Sequence, residues 1–144
     1  MKLFTHNLLM CNKKDVKEGY PLKIEASKVE IVKSEFNPEF IKGILSKVNY
    51  DALREAVASL KRKHSLTHSF HSFISLIHSH HTENVTLPTK VTDEMFDNVE
   101  FLKLLHHVLL EIVVVEGRLI CPESGRIFPI SQGIPNMLLN EDEV

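Results

Sequence analysis

The chain has 144 residues, 43% of them hydrophobic and 25% charged, which suffices for one proper core and fits one domain, or one domain with an inserted lobe. This excludes a disordered or fibrous chain, and a formal net charge of −2 excludes the strong overall basic field that would bind RNA by phosphate neutralisation. Two cysteines, Cys11 and Cys121, are too few for a disulfide-dense secreted scaffold, and no stretch has the apolar length of a membrane span.

In the opening residues 1 to 10, His6 and Asn7 interrupt any signal-type apolar run and no small-residue cleavage pattern follows, so a reducing intracellular compartment is expected. Residues 1 to 37 read as short strands. Leu22, Ile24 and Ala26 alternate with polar neighbours, as do Val29 and Ile31, and Ala26-Ser27-Lys28 between them suits a turn, which predicts an antiparallel hairpin.

At Phe36-Asn37-Pro38 the period changes. Asn37 is a good N-cap, Pro38 has no N–H to lose at the first helical position, Glu39 favours the positive helix end, and Phe36 and Ile41 are spaced for a hydrophobic staple. Phe40, Ile41, Ile44, Leu45 and Val48 follow helical spacing, and Leu53, Ala56, Val57 and Leu60 continue it after a break near Asn49. Thr92 is placed to cap a third helix through about Leu110, whose stripe is Met95, Val99, Leu102, Leu105, Leu109 and Ile112, widened by Phe101, Leu104 and Val108. After it the signal is β: Ile112 to Val115 is β-branched, Glu116-Gly117 supplies a turn, and Arg118-Leu119-Ile120 returns. Gly125 and Gly133 punctuate two further extended segments.

The segment from Lys63 to Thr89 holds six of the nine histidines, His64, His68, His71, His78, His80 and His81, among serines and without a clear cap. Poor order is expected there. The spacings of His64, His68 and His71 suit one helix face, but without cysteine or acidic ligands nearby the composition is that of a solvated segment rather than a metal buffer. His106-His107 with Glu111 has the elements of acid–base chemistry, yet nothing nucleophilic is suggested beside it, and packing is its plainer role. Five glycines include no phosphate-cradling loop and no Gly-x-Gly cofactor loop, so the chain carries no methyl-donor site of the usual α/β kind, and no catalytic residue is assigned.

The run Cys121-Pro122-Glu123-Ser124-Gly125-Arg126-Ile127-Phe128-Pro129-Ile130, closed by Gly133-Ile134-Pro135-Asn136-Met137-Leu138-Leu139, has the layout of a zinc-ribbon knuckle and hairpin. A serine stands where the second cysteine of a Cys-x-x-Cys pair would be. Taken with Met1-Lys2-Leu3-Phe4-Thr5-His6-Asn7-Leu8-Leu9 and Glu35-Phe36-Asn37-Pro38-Glu39-Phe40, this run resembles the small activator subunit that eukaryotes share among several methyltransferases acting on tRNA, ribosomal RNA and a translation release factor. The likeness covers nearly the whole chain except about residues 63 to 91.

The resemblance implies an α+β fold: a small antiparallel zinc-ribbon-like β domain from residues 1–37 and 111–144, with a helical insert at 38–110 that contains the His/Ser-rich segment at 63–91. Some members of the family bind a structural zinc through four cysteines. Here Cys11 and Cys121 match one of each pair, while Val16 and Ser124 stand at the other two places, so no metal ligand set and no cofactor are expected. The implied function is a non-catalytic activator that forms heterodimers with S-adenosylmethionine-dependent methyltransferases in cytoplasm and nucleus, contacting RNA only through them and no membrane. The residues expected to bind those partners are Ile127, Phe128, Pro129, Ile130, Ile134, Pro135, Asn136, Met137, Leu138 and Leu139, an apolar set with two prolines that suit an edge strand. A free-standing zinc-ribbon-like module that binds RNA through Arg118, Arg126 and nearby lysines is the alternative.

Overall fold

A computed structural model describes residues 1–63 and 92–144. The His/Ser-rich segment, its histidines and the expectation of poor order there lie outside the described residues, apart from Lys63 at the end of a helix. Four antiparallel strands form one sheet in the order β1-β2-β3-β4: β1 Lys23–Ile31, β2 Ile112–Ile120, β3 Ile127–Ser131 and β4 Ile134–Pro135. Between β1 and β2 the chain runs through helices α2 (Pro38–Leu45), α3 (Tyr50–Lys63) and α4 (Val99–His106).

The two expected hairpins do not form. Each region is one continuous strand of nine residues, and the two turn-like sites face each other across the β1/β2 pair, Ala26 opposite Gly117 and Lys28 opposite Glu116. The register shifts on both sides of Lys28, so the irregularity is a bulge in a long pair rather than two reversals. Gly117 is required there: its φ is +154°, and a Cβ would lie 2.3 Å from the Glu25 carbonyl oxygen.

Residues 1 to 10 also differ from the short strands expected. Leu3–Leu8 is a short helix, α1, whose Leu3, His6 and Asn7 are buried at i, i+3 and i+4. No side chain caps it, and its stability comes from tertiary bonds: His6 Nε2–H donates to Leu22 O (2.7 Å), Tyr20 Oη–H donates to Asn7 O (2.7 Å), and Asn7 pairs with the backbone of Asn49. Ahead of it, the Met1 amine donates to Val114 O (2.7 Å) and to Gly133 O, while Lys2 bridges Val113. These residues fill the side of β2 that β3 leaves free, because β3 pairs only with Gly117 to Ile120.

Helix α2 starts as its sequence dictates, with Asn37 Oδ1 accepting from Phe40 N (3.2 Å) and Pro38 at the first position. Phe36 and His106 stack T-shaped, with centroids 5.5 Å apart at 81°. The break before α3 falls at Asn49, whose Oδ1 accepts from Ala52 N (3.1 Å). The long third helix expected from Thr92 is divided: a 3₁₀ turn at Asp93–Asp97, then α4 capped by Asn98 through Glu100 N (3.1 Å) and Phe101 N (3.3 Å), then a π-helical turn at His107–Glu111. The inner helix faces (Ile41, Ile44, Leu53, Val57, Leu60, Leu102, Leu105, Leu109) pack on Ile24, Val114, Leu119, Phe128 and Ile130 of the sheet in one core cluster. Full burial of each such side chain is worth roughly 1.5–3 kcal/mol. Among the described residues no helix is long and apolar enough to cross a membrane.

Candidate partner-binding site

Strand β3 alternates strictly, and that alternation divides the expected partner-binding set. Phe128 and Ile130 point into the core at 1% and 2% exposure, whereas Ile127, Pro129 and Ser131 face outward. Phe128 and Ile130 are therefore core residues rather than partner contacts, because successive side chains on a strand take opposite faces. Gln132 (φ +53°) and Gly133 (φ +77°) make the tight two-residue turn into β4. Beyond β4 the chain stays beside β3, with Asn136 N–H donating to Pro129 O (2.9 Å) and Leu138 N–H to Asn136 Oδ1 (3.1 Å).

Side chains along this last segment alternate as well. Ile134 and Leu138 are 70% and 79% exposed, Asn136 is exposed, and Pro135, Met137 and Leu139 are half-buried, the last two against the core. With Ile127 and Pro129 they make an apolar strip along a sheet margin on which, among the described residues, no further strand pairs with β4. Large exposed aliphatics on neighbouring extended segments are what a protein partner covers.

Arg126 holds this margin in place. Nη1–H donates to Ile127 O (2.6 Å), Nη2–H to Leu138 O (3.4 Å), Nε lies 2.8 Å from Glu143 Oε1, and the guanidinium sits 5.2 Å from the Phe128 ring centroid. Glu143 in turn closes a capping box with Asn140 and receives Lys14 N–H on its carbonyl (2.7 Å), so the C-terminal turn is tied to the 11–16 loop. Arg118 pairs with Glu25 on the sheet. Both arginines assigned to RNA binding in the alternative reading are thus committed to contacts within the chain.

Under the margin lies the knuckle. Cys11 and Cys121 are both 2% exposed and belong to the one core cluster. Ser124 N–H also donates to Cys121 Sγ (3.3 Å). Burial pushes the Cys11 thiol up from its ordinary range. For Cys121 burial acts the same way but is outweighed by hydrogen bonds from the Ser124 side chain and the Ser124 and Glu123 backbone, which bring it down. As a zinc site the group does not fit: two sulfurs and one hydroxyl are present, and the half-buried Val16 offers no donor.

A second polar cluster joins the sheet to the helices. Glu111 accepts from Ser34 N–H (3.0 Å) and pairs with His107 Nδ1 (2.8 Å), while His106 Nε2 stands 3.2 Å from Ser34 O and 3.1 Å from Ser34 Oγ. Burial raises the Glu111 carboxyl, but the Ser34 amide and His107 outweigh it, so the group is held below its ordinary range. Ser34, missed in sequence, brings a hydroxyl to His106. The geometry is nonetheless that of packing: with Nε2–H donating to the Ser34 carbonyl, no acceptor among the described residues orients Nδ1.

These features define a small α+β binding subunit whose chemically distinctive surface is an apolar sheet margin. The chain belongs to the Trm112p-like protein family, whose model matches residues 2–133. It is 42% identical over 144 residues to a Bos taurus multifunctional methyltransferase subunit TRM112-like protein, spanning 99% of this chain and 98% of that one. An Arabidopsis thaliana multifunctional methyltransferase subunit TRM112 homolog A is 41% identical over the full length of both, and the Saccharomyces cerevisiae multifunctional methyltransferase subunit TRM112 is 33% identical over 96% of each. Among solved structures, a chain of the E. cuniculi Mtq2–Trm112 complex responsible for methylation of the eRF1 translation termination factor shares the fold. The TM-score is 0.52 at 23% identity, over 96% of this chain and 95% of that one.

Proposed function

We propose that the chain is a non-catalytic activator and stabilising subunit of S-adenosylmethionine-dependent methyltransferases, bound one at a time as heterodimers. The observation that carries this is the strip of Ile127, Pro129, Ile134 and Leu138, an exposed apolar margin on a chain whose relatives are named as methyltransferase subunits. Partners acting on tRNA, small-subunit ribosomal RNA and a release factor follow from the family likeness, as does a cytoplasmic and nuclear location. RNA is reached only through the partner, in keeping with the commitment of Arg118 and Arg126 to Glu25 and Glu143.

The physical role is mass action. A subunit that binds only the folded enzyme at a hundred times its Kd stabilises that fold by about 2.7 kcal/mol, and it covers an apolar surface that otherwise aggregates. Ile134 and Leu138 supply roughly 1.5–3 kcal/mol each when fully buried.

The test is co-expression of a methyltransferase catalytic subunit with and without this chain, reading soluble yield and methyl transfer to its RNA or release-factor substrate. Both rise with the chain present if the proposal holds. A catalytic subunit equally soluble and active alone, for every partner class tried, overturns it.

A further inference from the structure

We propose that Glu143 is a positioning residue for the partner-binding margin, acting through Arg126 to fix the backbone that presents Leu138. The inference rests on the reading of the Ile127 to Leu138 strip as the methyltransferase surface, and it adds a residue that lies off that strip. Strand β4 is two residues long and ends at Pro135, short of Leu138, which is 79% exposed. Past β4, Met137 and Leu139 pack their side chains on the core. The backbone of residues 136–139 is held at Asn136 N–H, which donates to Pro129 O (2.9 Å), and at Leu138 O, which accepts from Arg126 Nη2–H (3.4 Å). The position of Leu138 therefore depends on where the guanidinium stands.

A donation of 3.4 Å is weak unless its donor is aimed. Nη1–H donates to Ile127 O (2.6 Å) and the guanidinium lies 5.2 Å from the Phe128 ring centroid, but both partners directly follow Arg126 in the chain and do not relate it to the C-terminal segment. Glu143 does, because its Oε1 lies 2.8 Å from Arg126 Nε. Glu143 is itself fixed: Oε2 accepts Asn140 N–H (3.0 Å), its carbonyl accepts Lys14 N–H (2.7 Å), and Lys13 Nζ lies 3.8 Å from Oε1. Asn140 N–H and the Arg126 guanidinium hold its carboxyl below the ordinary range, so the pair is charged at neutral pH. Glu143 is 9% exposed, against 70% and 79% for Ile134 and Leu138, and offers a partner almost no surface of its own. What it contributes to binding is preorganisation, since a segment already held in its bound shape loses less freedom on association.

The full chain is compared with Glu143→Ala, with Arg126→Lys, which keeps the charge but not the fork of donors, and with the two combined. Native-state hydrogen exchange of the segment 134–140 is read beside affinity for the purified catalytic subunit of a release-factor methyltransferase. Each single variant is expected to speed exchange in that segment and to lower affinity about tenfold, the size of reordering about one backbone residue on binding. The combined variant is expected to lose no more affinity than the singles, because both residues act along one line. Glu143→Gln, which keeps the shape and removes the charge, carries the same test where Glu143→Ala unfolds the chain. Ile134→Asp with Leu138→Asp separates the two claims: full affinity in that variant removes the margin reading and this proposal with it. With the margin sustained, unchanged affinity in the single variants, affinity losses that add when they are combined, or lost affinity without faster exchange at 134–140 each overturn the role of Glu143 and leave the margin reading intact.

Discussion

Asn7 is the most exposed test of how the fold is assembled, because one side chain does the work of a backbone pair. Its Nδ2–H donates to Asn49 O (2.8 Å) and its Oδ1 accepts from Asn49 N (2.9 Å), joining α1 to the break between α2 and α3, while Asn7 itself is 3% exposed. Asn7→Ala removes both bonds and leaves the donor and acceptor of Asn49 at a partly buried site. Two net hydrogen bonds amount to about 2 kcal/mol, rising to about 4 kcal/mol where water does not replace the amide. For a chain of this size the melting temperature falls by roughly 5–15 °C. Urea unfolding followed by circular dichroism measures the loss, with an unchanged m-value as the sign that the native state is otherwise intact. Asn49→Ala is the internal control: it deletes only the cap on Ala52 N, costs about 1 kcal/mol, and adds to Asn7→Ala within about 0.5 kcal/mol, since the Asn7 bonds go to Asn49 backbone. A loss below about 0.5 kcal/mol for Asn7→Ala would refute the claim that this pair sets α1 on the helices.

Three further outcomes follow from the structure. Gly117→Ala places a Cβ against the Glu25 carbonyl at a φ of +154°, and is expected to cost about 2–4 kcal/mol in urea unfolding; a neutral result contradicts the bulge. Acetylating the Met1 amine, or fusing a peptide to it, displaces a group bonded to Val114 O and Gly133 O and is expected to cost about 1–3 kcal/mol; an equal melting temperature contradicts that docking. Stability is expected to fall on acidification. Burial holds the Met1 amine below 8.0 and His6 below 6.5, so the unfolded chain binds more protons first below pH 8.0 and then below 6.5, and the folded chain loses stability until each folded pKa is passed. Glu111, held below 4.5, contributes stability that is kept above 4.5 and lost as pH falls through its folded value. Urea midpoints that stay flat from pH 8 to 4 would contradict these assignments.

The start of α2 was legible because its signals are local: Asn37, Pro38 and Glu39 act within one turn. The break at Asn49 was legible for the same reason. The strands differ from expectation where a local signal has two tertiary uses. Ala26-Ser27-Lys28 and Glu116-Gly117 are turn-like in isolation, and only their pairing with each other makes them a bulge. Helix α1 escaped notice since His6 and Asn7 look like a break in an apolar run, although both are buried against Leu22 and Asn49. Asn98 rather than Thr92 caps α4, so the helix is shorter at both ends than the one expected from Thr92 through about Leu110. At the partner margin the apolar residues were visible, but Phe128 and Ile130 belong inside; the period of two in Ile127 to Ser131 was the available signal. That Cys11 and Cys121 are both buried in one core depends on packing between segments far apart in the chain, and spacing carries no trace of it.

The Ile134 to Leu138 margin is the surface proposed to bind the methyltransferases. Met137 is half-buried on the core, so the decisive substitutions are Ile134→Asp and Leu138→Asp, at side chains 70% and 79% exposed. Covering a carboxylate with an apolar partner surface costs about 3 kcal/mol or more, over a hundredfold in Kd. The measurement is the affinity of each variant for a purified methyltransferase catalytic subunit, beside urea unfolding of the variant alone. Unchanged stability is expected, with affinity lowered by at least about a hundredfold. Full affinity in a folded double variant, for every partner tested, would contradict it.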